Sequence, residues 1–335
     1  MMRAVLGVVV MGVVATGSYA QSGGRLLVVE KTSQSLGIVD PASGKQIALV
    51  SEGKLPGKDT GHEVAASSDG KFAYVPIYGD SGVGKPGTNG QEMVVIDVAA
   101  QKLVGRVDFG HPVRPHLPVM NAKDGLLYVT TELDQAITII DPKTLKIVGK
   151  IPTGSEQSHM LAISHDGRRG YTANVGPGTV SVLDLRARKL VKVIPISGTV
   201  QRISVSVDDK MAFTSDQTKP ELDVIDTATD TVRARIPLVS YGYGTAPTPD
   251  GRWLLVPMMD VNKVAVVDLQ TLTVAKNIDL AAGTHPQEAL VQPDGKAAYV
   301  SCDHSGQVAE LDPATWTVKR MIDTGKISDG LAWAR

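Results

Sequence analysis

The sequence predicts an all-β fold, a seven-bladed β-propeller with four-stranded blades, on three observations. An aspartate closes an apolar strand seven times, six Asp-Gly or Asp-Asp turns fall between these aspartates, and the seventh unit is split between the two ends of the chain.

The aspartates are Asp40, Asp97, Asp141, Asp184, Asp226, Asp268 and Asp312, separated by 57, 44, 43, 42, 42 and 44 residues. A repeat of about 40–45 residues is the length of one four-stranded propeller blade. The long first step carries an insertion, Tyr78 to Glu92, with five glycines. The turns read SSDGK, AKDGL, SHDGR, SVDDK, TPDGR and QPDGK, each followed by a β-branched or aromatic strand. Such turns between alternating residues are hairpin signals. Each unit is therefore expected to run strand a, turn, strand b, loop, strand c through the aspartate, turn, strand d. SDGLAWAR at the C-terminus supplies a strand a, and RLLVVEK from Arg25 supplies the strand b that pairs with it. That pairing closes the ring and removes an exposed sheet edge.

The charge balance, 34 Lys and Arg against 35 Asp and Glu, offers no basic field for a phosphate backbone, so no nucleic-acid partner is expected. Residues 1–20 combine Arg3, an apolar run and Ser18-Tyr19-Ala20, the pattern of a cleaved signal peptide. The mature chain is then a single domain, residues 21–335, periplasmic or secreted, without a membrane span and monomeric. Cys302 is the only cysteine, so the fold stands without a disulfide.

The strands YVPI, YVTT, YTAN and YVSC, each after a turn and before an IDP-like strand, resemble the YVTN-repeat family of seven-bladed propellers, over Arg25 to Arg335. The resemblance implies fold rather than chemistry, since the family includes binding proteins and related propellers include lactonases, lyases and haem or copper enzymes. Neither haem nor a quinone cofactor is expected: there is no CxxCH motif, and ASGKQIA and TLKIVGK lack the terminal Trp of quinone-docking repeats.

Aligning the starts of strand a places His62, His116, His159, Gln201, Tyr243, Gln287 and Asp329 at one repeat position. Strand a lines the central channel, so these seven form a polar ring at one mouth. Three of only seven histidines fall there, from consecutive blades. Neutral imidazoles facing one point can hold Zn, Cu, Ni or Fe with a position left open, and Glu63 would serve as general base on a bound water. Ordered water is the alternative occupant of such a channel.

Arg114, Arg202, Tyr241, His285 and Glu288 are expected from the d-to-a loops on the same face. Arg114 and Arg202 would clamp a carboxylate or phosphate. From the b-to-c loops come Tyr78, Glu132, Asn174, Asp216, Asp260, Asp303 and His304; His304 beside Asp303 resembles a carboxylate-oriented imidazole, although strand neighbours point to opposite faces. His111 and His165 read as exposed loop residues, and the Tyr78–Glu92 insertion as a flexible lid. GxSxG is absent, which disfavours serine hydrolysis. The readings left open are a binder of a small polar ligand or metal ion, a metal-dependent hydrolase or lyase, and a protein-interaction platform.

Overall fold

The structure, a computed structural model, describes residues 23–335; the expected signal peptide lies outside the described residues. Seven antiparallel sheets form the blades of a ring. Blade 1 is closed by both ends of the chain: Ser328–Ala334 is its inner strand and pairs with Arg25–Glu30, with Leu26 opposite Trp333 and Leu27 opposite Ala332. The inner strands of blades 3, 4, 5 and 7 are Pro115–Met120, Ser158–Ile163, Val200–Val205 and Pro286–Val291. Among the described residues no helix is long and apolar enough to cross a membrane.

The repeated aspartates have a local cause. Each sits at the end of its strand and accepts a backbone N–H from the turn that follows, Asp97 from Ala100 at 2.7 Å, Asp184 from Ala187 at 2.8 Å and Asp312 from Ala314 at 2.9 Å. A carboxylate two or three residues upstream can satisfy a turn amide that no strand will pair. The a-to-b turns use glycine where the backbone is left-handed, as at Gly70 (φ 70°), where a Cβ would also fall 2.1 Å from the Arg335 carbonyl oxygen. The apolar strands b and c pack blade on blade; Leu27, Ile38, Val75 and Val94 form one such buried cluster between blades 1 and 2.

Two inner strands depart from the expected pattern. In blade 2 the strand is broken into Thr60–Gly61 and Ala65–Ala66, with His62, Glu63 and Val64 between them. In blade 6 only Ala246–Pro247 is paired, and Tyr243 precedes it, tethered by its N–H to Pro257 O at 2.8 Å.

The ring position is also where pairing slips. In blade 4 Ser158 faces Asn174 and Met160 faces Ala173, leaving His159 as the extra residue. In blade 5 the extra residue is Arg202, between Gln201 and Ile203. In blade 7 Pro286 faces Cys302 and Ala289 faces Val300, so Gln287 and Glu288 together oppose Ser301. Blade 1 slips likewise around Asp329. Blade 3 slips around His116 as well, with Val129 opposite Pro118 and Thr131 opposite Pro115. A bulge bends the strand and re-aims side chains, and here it does so at the channel mouth of five blades.

Candidate functional site

All seven residues of the aligned ring line one cavity of about 250 Å³. Glu63, Met160 and Arg202 join them from the positions next to His62, His159 and Gln201, and Lys31, Gly82, Val83 and Lys85 complete the wall. On a regular strand residues 62 and 63, or 201 and 202, would face opposite ways; the broken strand and the bulges bring both members of each pair to the same cavity. Arg202 and Glu288 thus belong to inner strands and not to the preceding loops.

One half of the cavity is aromatic. His62, His116 and His159 are buried. Tyr78 packs among them, its ring centroid 4.7, 5.1 and 5.6 Å from theirs. The Tyr78 hydroxyl donates to Glu132 Oε2 at 2.7 Å, and His159 Nδ1 lies 3.3 Å from the same oxygen. Burial pushes the Glu132 carboxyl up, but the hydrogen bonds from His159 and Tyr78 and the Arg114 charge outweigh it, and the group stays below its ordinary range. Burial, followed by neighbouring positive charge, drives His62 and His116 well below the usual imidazole value, so both are neutral.

The three rings do not point at one centre as expected of a ligand set. His116 stacks on His159, centroids 3.6 Å apart at 28°, while His62 meets His116 edge-on at 5.6 Å. Imidazoles bound to one ion direct in-plane lone pairs at it, which stacked rings do not do without turning.

The other half is ionic. Arg202 lies with Nη2 2.7 Å from Glu63 Oε1 and 3.3 Å from Asp329 Oδ1, and Nη1 3.3 Å from Glu288 Oε2. Lys31 Nζ reaches Asp329 Oδ2 at 3.3 Å. Arg202 also lies over the Tyr243 ring, 5.3 Å from its centroid. Burial pushes the Glu63 carboxyl well up; Arg202 opposes this and the charges of Glu288 and Asp329 reinforce it. Glu288 is raised by burial too, less strongly, and accepts the Leu331 N–H at 3.1 Å. Glu63 is therefore the carboxyl of this cluster whose charged form burial disfavours most. No hydrogen bond joins it to the histidines, so the expected general base belongs to the arginine cluster instead.

Arg114 is a second correction. Its Nε donates to Asn89 Oδ1 at 2.5 Å, and its Nη2 donates to Ser81 Oγ at 3.2 Å and Lys85 O at 2.9 Å. Its guanidinium is committed to the 78–92 insertion rather than free to clamp a ligand, and it sits 5.4 Å over the Tyr78 ring. Gln287 Nε2 donates to Asp303 Oδ2 at 2.6 Å, and Gln201 Oε1 is buried without a hydrogen-bond partner among the described residues. Of the loop residues, Asn174 is buried against Ser158 Oγ at 2.7 Å, Asp216 caps the Thr218 and Lys219 amides, and Tyr241 is exposed. His111 and His165 are exposed and pair with Asp134 and Asp209. Burial raises the Cys302 thiol to about 12, which leaves it unreactive.

Comparison with known proteins agrees with the fold. Uncharacterized protein YncE of Salmonella typhi is 26% identical over 202 residues, 58% of this chain and 56% of that protein. Antigen Lp49 of Leptospira interrogans is 26% identical over 215 residues, 56% of this chain and 45% of that protein. The chain thus spans about half the length of these relatives. A chain of Kuenenia stuttgartiensis hydrazine synthase superposes with a TM-score of 0.70 at 18% identity, covering 84% of this chain and 92% of that one, a likeness of fold. The family model described as the cytochrome D1 heme domain matches residues 87–286, more than half of the chain, and with the seven closed blades this makes the protein a YncE-like seven-bladed propeller belonging to the cytochrome D1 heme domain family.

Proposed function

We propose that this propeller is an exported binding protein that holds a small polar ligand in the channel mouth. The observation that carries the reading is a set of buried polar atoms, His116 Nδ1, Gln201 Oε1 and Arg202 Nε, that belong to residues lining this cavity and have no hydrogen-bond partner among the described residues. Each such atom costs about 1–3 kcal/mol when left unsatisfied, so a polar occupant that reaches all three adds stability. By volume the cavity takes about eight waters at ~30 Å³ each, or one small metabolite.

The family's name implies a haem, and the mouth does not fit one. Its 250 Å³ falls below the range of about 300–1,000 Å³ usual for drug-sized ligands. A macrocycle is a large apolar plate, whereas Met160 and Val83 are the only aliphatic side chains longer than a methyl group in this lining.

A metal ion on the imidazoles is the second reading. The Glu132–His159 contact favours it, because a carboxylate on one ring nitrogen is the usual support of a metal-binding histidine. Hydrolysis is less well supported, since Glu63 is paired with Arg202.

The test is elemental analysis and native mass spectrometry of residues 21–335, purified without chelator, beside a His62→Ala/His116→Ala/His159→Ala variant. A small molecule or one equivalent of metal that the variant loses is the expected result. A wild type that takes up neither Zn²⁺ nor Cu²⁺ at these histidines nor any member of a polar-metabolite library overturns the reading.

A further inference from the structure

On the same face, outside the channel cavity, two loops of blade 7 bring His285, Asp303 and His304 together. His285 leads into the strand Pro286–Val291, and Asp303 and His304 follow the strand Ala298–Cys302. His285 Nδ1 is 2.6 Å from Asp303 Oδ1, and His304 Nε2 is 3.7 Å from the same oxygen. The two rings lie parallel, at 5°, with centroids 3.9 Å apart. One ligand atom from each residue falls within 4.8 Å of the others.

We propose that these three residues form a binding site for a divalent transition-metal ion of the Zn²⁺ or Cu²⁺ type, separate from the channel mouth. Two imidazole nitrogens and one carboxylate oxygen are a three-ligand set that leaves one position open. Around a tetrahedral ion with bonds of about 2.0–2.2 Å, neighbouring ligand atoms lie about 3.3–3.6 Å apart. The His304–Asp303 separation is already close to this. The shorter His285–Asp303 contact is a hydrogen bond, and exchanging its proton for an ion opens it by roughly 1 Å. The rings must leave their stack for both lone pairs to meet the ion, and His304, 62% exposed, is free to turn.

The surroundings hold the carboxylate in place. Asp303 Oδ2 accepts from Gln287 Nε2 at 2.6 Å, the outer support that orients a ligating oxygen. The Asp303 N–H donates to His285 O at 3.3 Å, and Asp303 O accepts from Ile327 N–H at 3.0 Å. The His285 N–H donates to Asn262 Oδ1 at 2.9 Å, and its backbone is left-handed at φ 54°, a conformation a non-glycine residue keeps only when its neighbours enforce it. Because Gln287 also lines the channel cavity, an ion on Asp303 would fix one wall of that cavity.

The experiment is isothermal titration of metal-stripped residues 21–335 with Zn²⁺, comparing wild type, His304→Ala, Asp303→Asn and the channel triple-alanine variant. His304→Ala alters an exposed ring, so its thermal unfolding should match the wild type. The expected result is one equivalent whose Kd rises at least about tenfold in His304→Ala and Asp303→Asn, as removal of a ligand or its support does, and which persists in the triple variant. Electron paramagnetic resonance of the Cu²⁺ form should show nitrogen coupling that falls in His304→Ala. Zn²⁺ binding unchanged in His304→Ala, or lost only in the channel variant, overturns this site while leaving the channel reading to its own test; absence of Zn²⁺ and Cu²⁺ binding by the wild type overturns it as well.

Discussion

Arg202 Nη2 lies 2.7 Å from Glu63 Oε1 in the wall of the channel mouth, and the two side chains are 6% and 1% exposed. They come from blades 5 and 2 and meet across the ring's interior. With Glu288 from blade 7 and Asp329 from blade 1 they tie four blades to one guanidinium.

Removing the arginine should therefore cost far more than neutralising the acid. Arg202→Met strands buried carboxylates and is expected to lower stability by about 3–5 kcal/mol. Glu63→Gln replaces a carboxyl whose charge burial already disfavours, and is expected to change stability by less than about 1 kcal/mol. Urea denaturation of both at neutral pH decides this; equal losses would mean that the Glu63 charge matters as much as that of Arg202.

Stability should also fall as pH rises through neutrality, because of Glu52. Burial raises its carboxyl to about 7, against the hydrogen bonds it accepts from the Gly61 N–H at 3.0 Å and Thr60 Oγ1 at 3.1 Å. In the unfolded chain the group titrates near 4.3. The folded form thus binds the extra proton between these values, so the contribution is fully present below pH 4–5 and lost as pH passes 7, on the order of 3–4 kcal/mol. Glu52→Gln should remove this slope and exceed the wild type in melting temperature at pH 8. Because Glu52 holds Thr60–Gly61, the strand segment that leads into His62, any ligand affinity at the mouth should follow the same trend.

The insertion should loosen when its latch is cut. Arg114→Ala removes three hydrogen bonds to Asn89, Ser81 and Lys85. Amide exchange over residues 80–91 should quicken at least about tenfold while the blade strands keep their protection. Unchanged exchange would mean that the loop is held by its own contacts, such as the Asp80–Thr88 pair.

Opening the ring should be more damaging than any single site change. Deleting residues 328–335 removes the inner strand of blade 1 and bares Arg25–Glu30 as an edge. The expected outcome on size-exclusion chromatography is aggregation or loss of soluble protein. A soluble monomer with a wild-type melting temperature would show that closure contributes little.

Much of this architecture was readable before any coordinates. The aspartates at a period near 43 residues recur because each caps a turn, and the positions of His62 through Asp329 are equivalent because the blades are. The shared cavity is the direct consequence of that equivalence. Glu63 was legible as a neighbour of His62 but not as the partner of Arg202, since 139 positions separate them in sequence. Arg114 read as a ligand clamp because nothing in the chain signals that the insertion folds back onto it. Tyr78 and Glu132 were placed on the correct face, yet their joint hold on His159 depends on a 2.7 Å hydroxyl contact between blades 2 and 3.

The sequence by itself determined the number of blades, their order, the closure of the ring and the seven side chains that surround its mouth, because these follow from a repeat that sets the same local structure seven times. Only the tertiary structure decided which neighbours of those side chains also turn inward. The period of two that governs a regular strand fails at each bulge, and charge pairing across the channel depends on distances that no local pattern encodes.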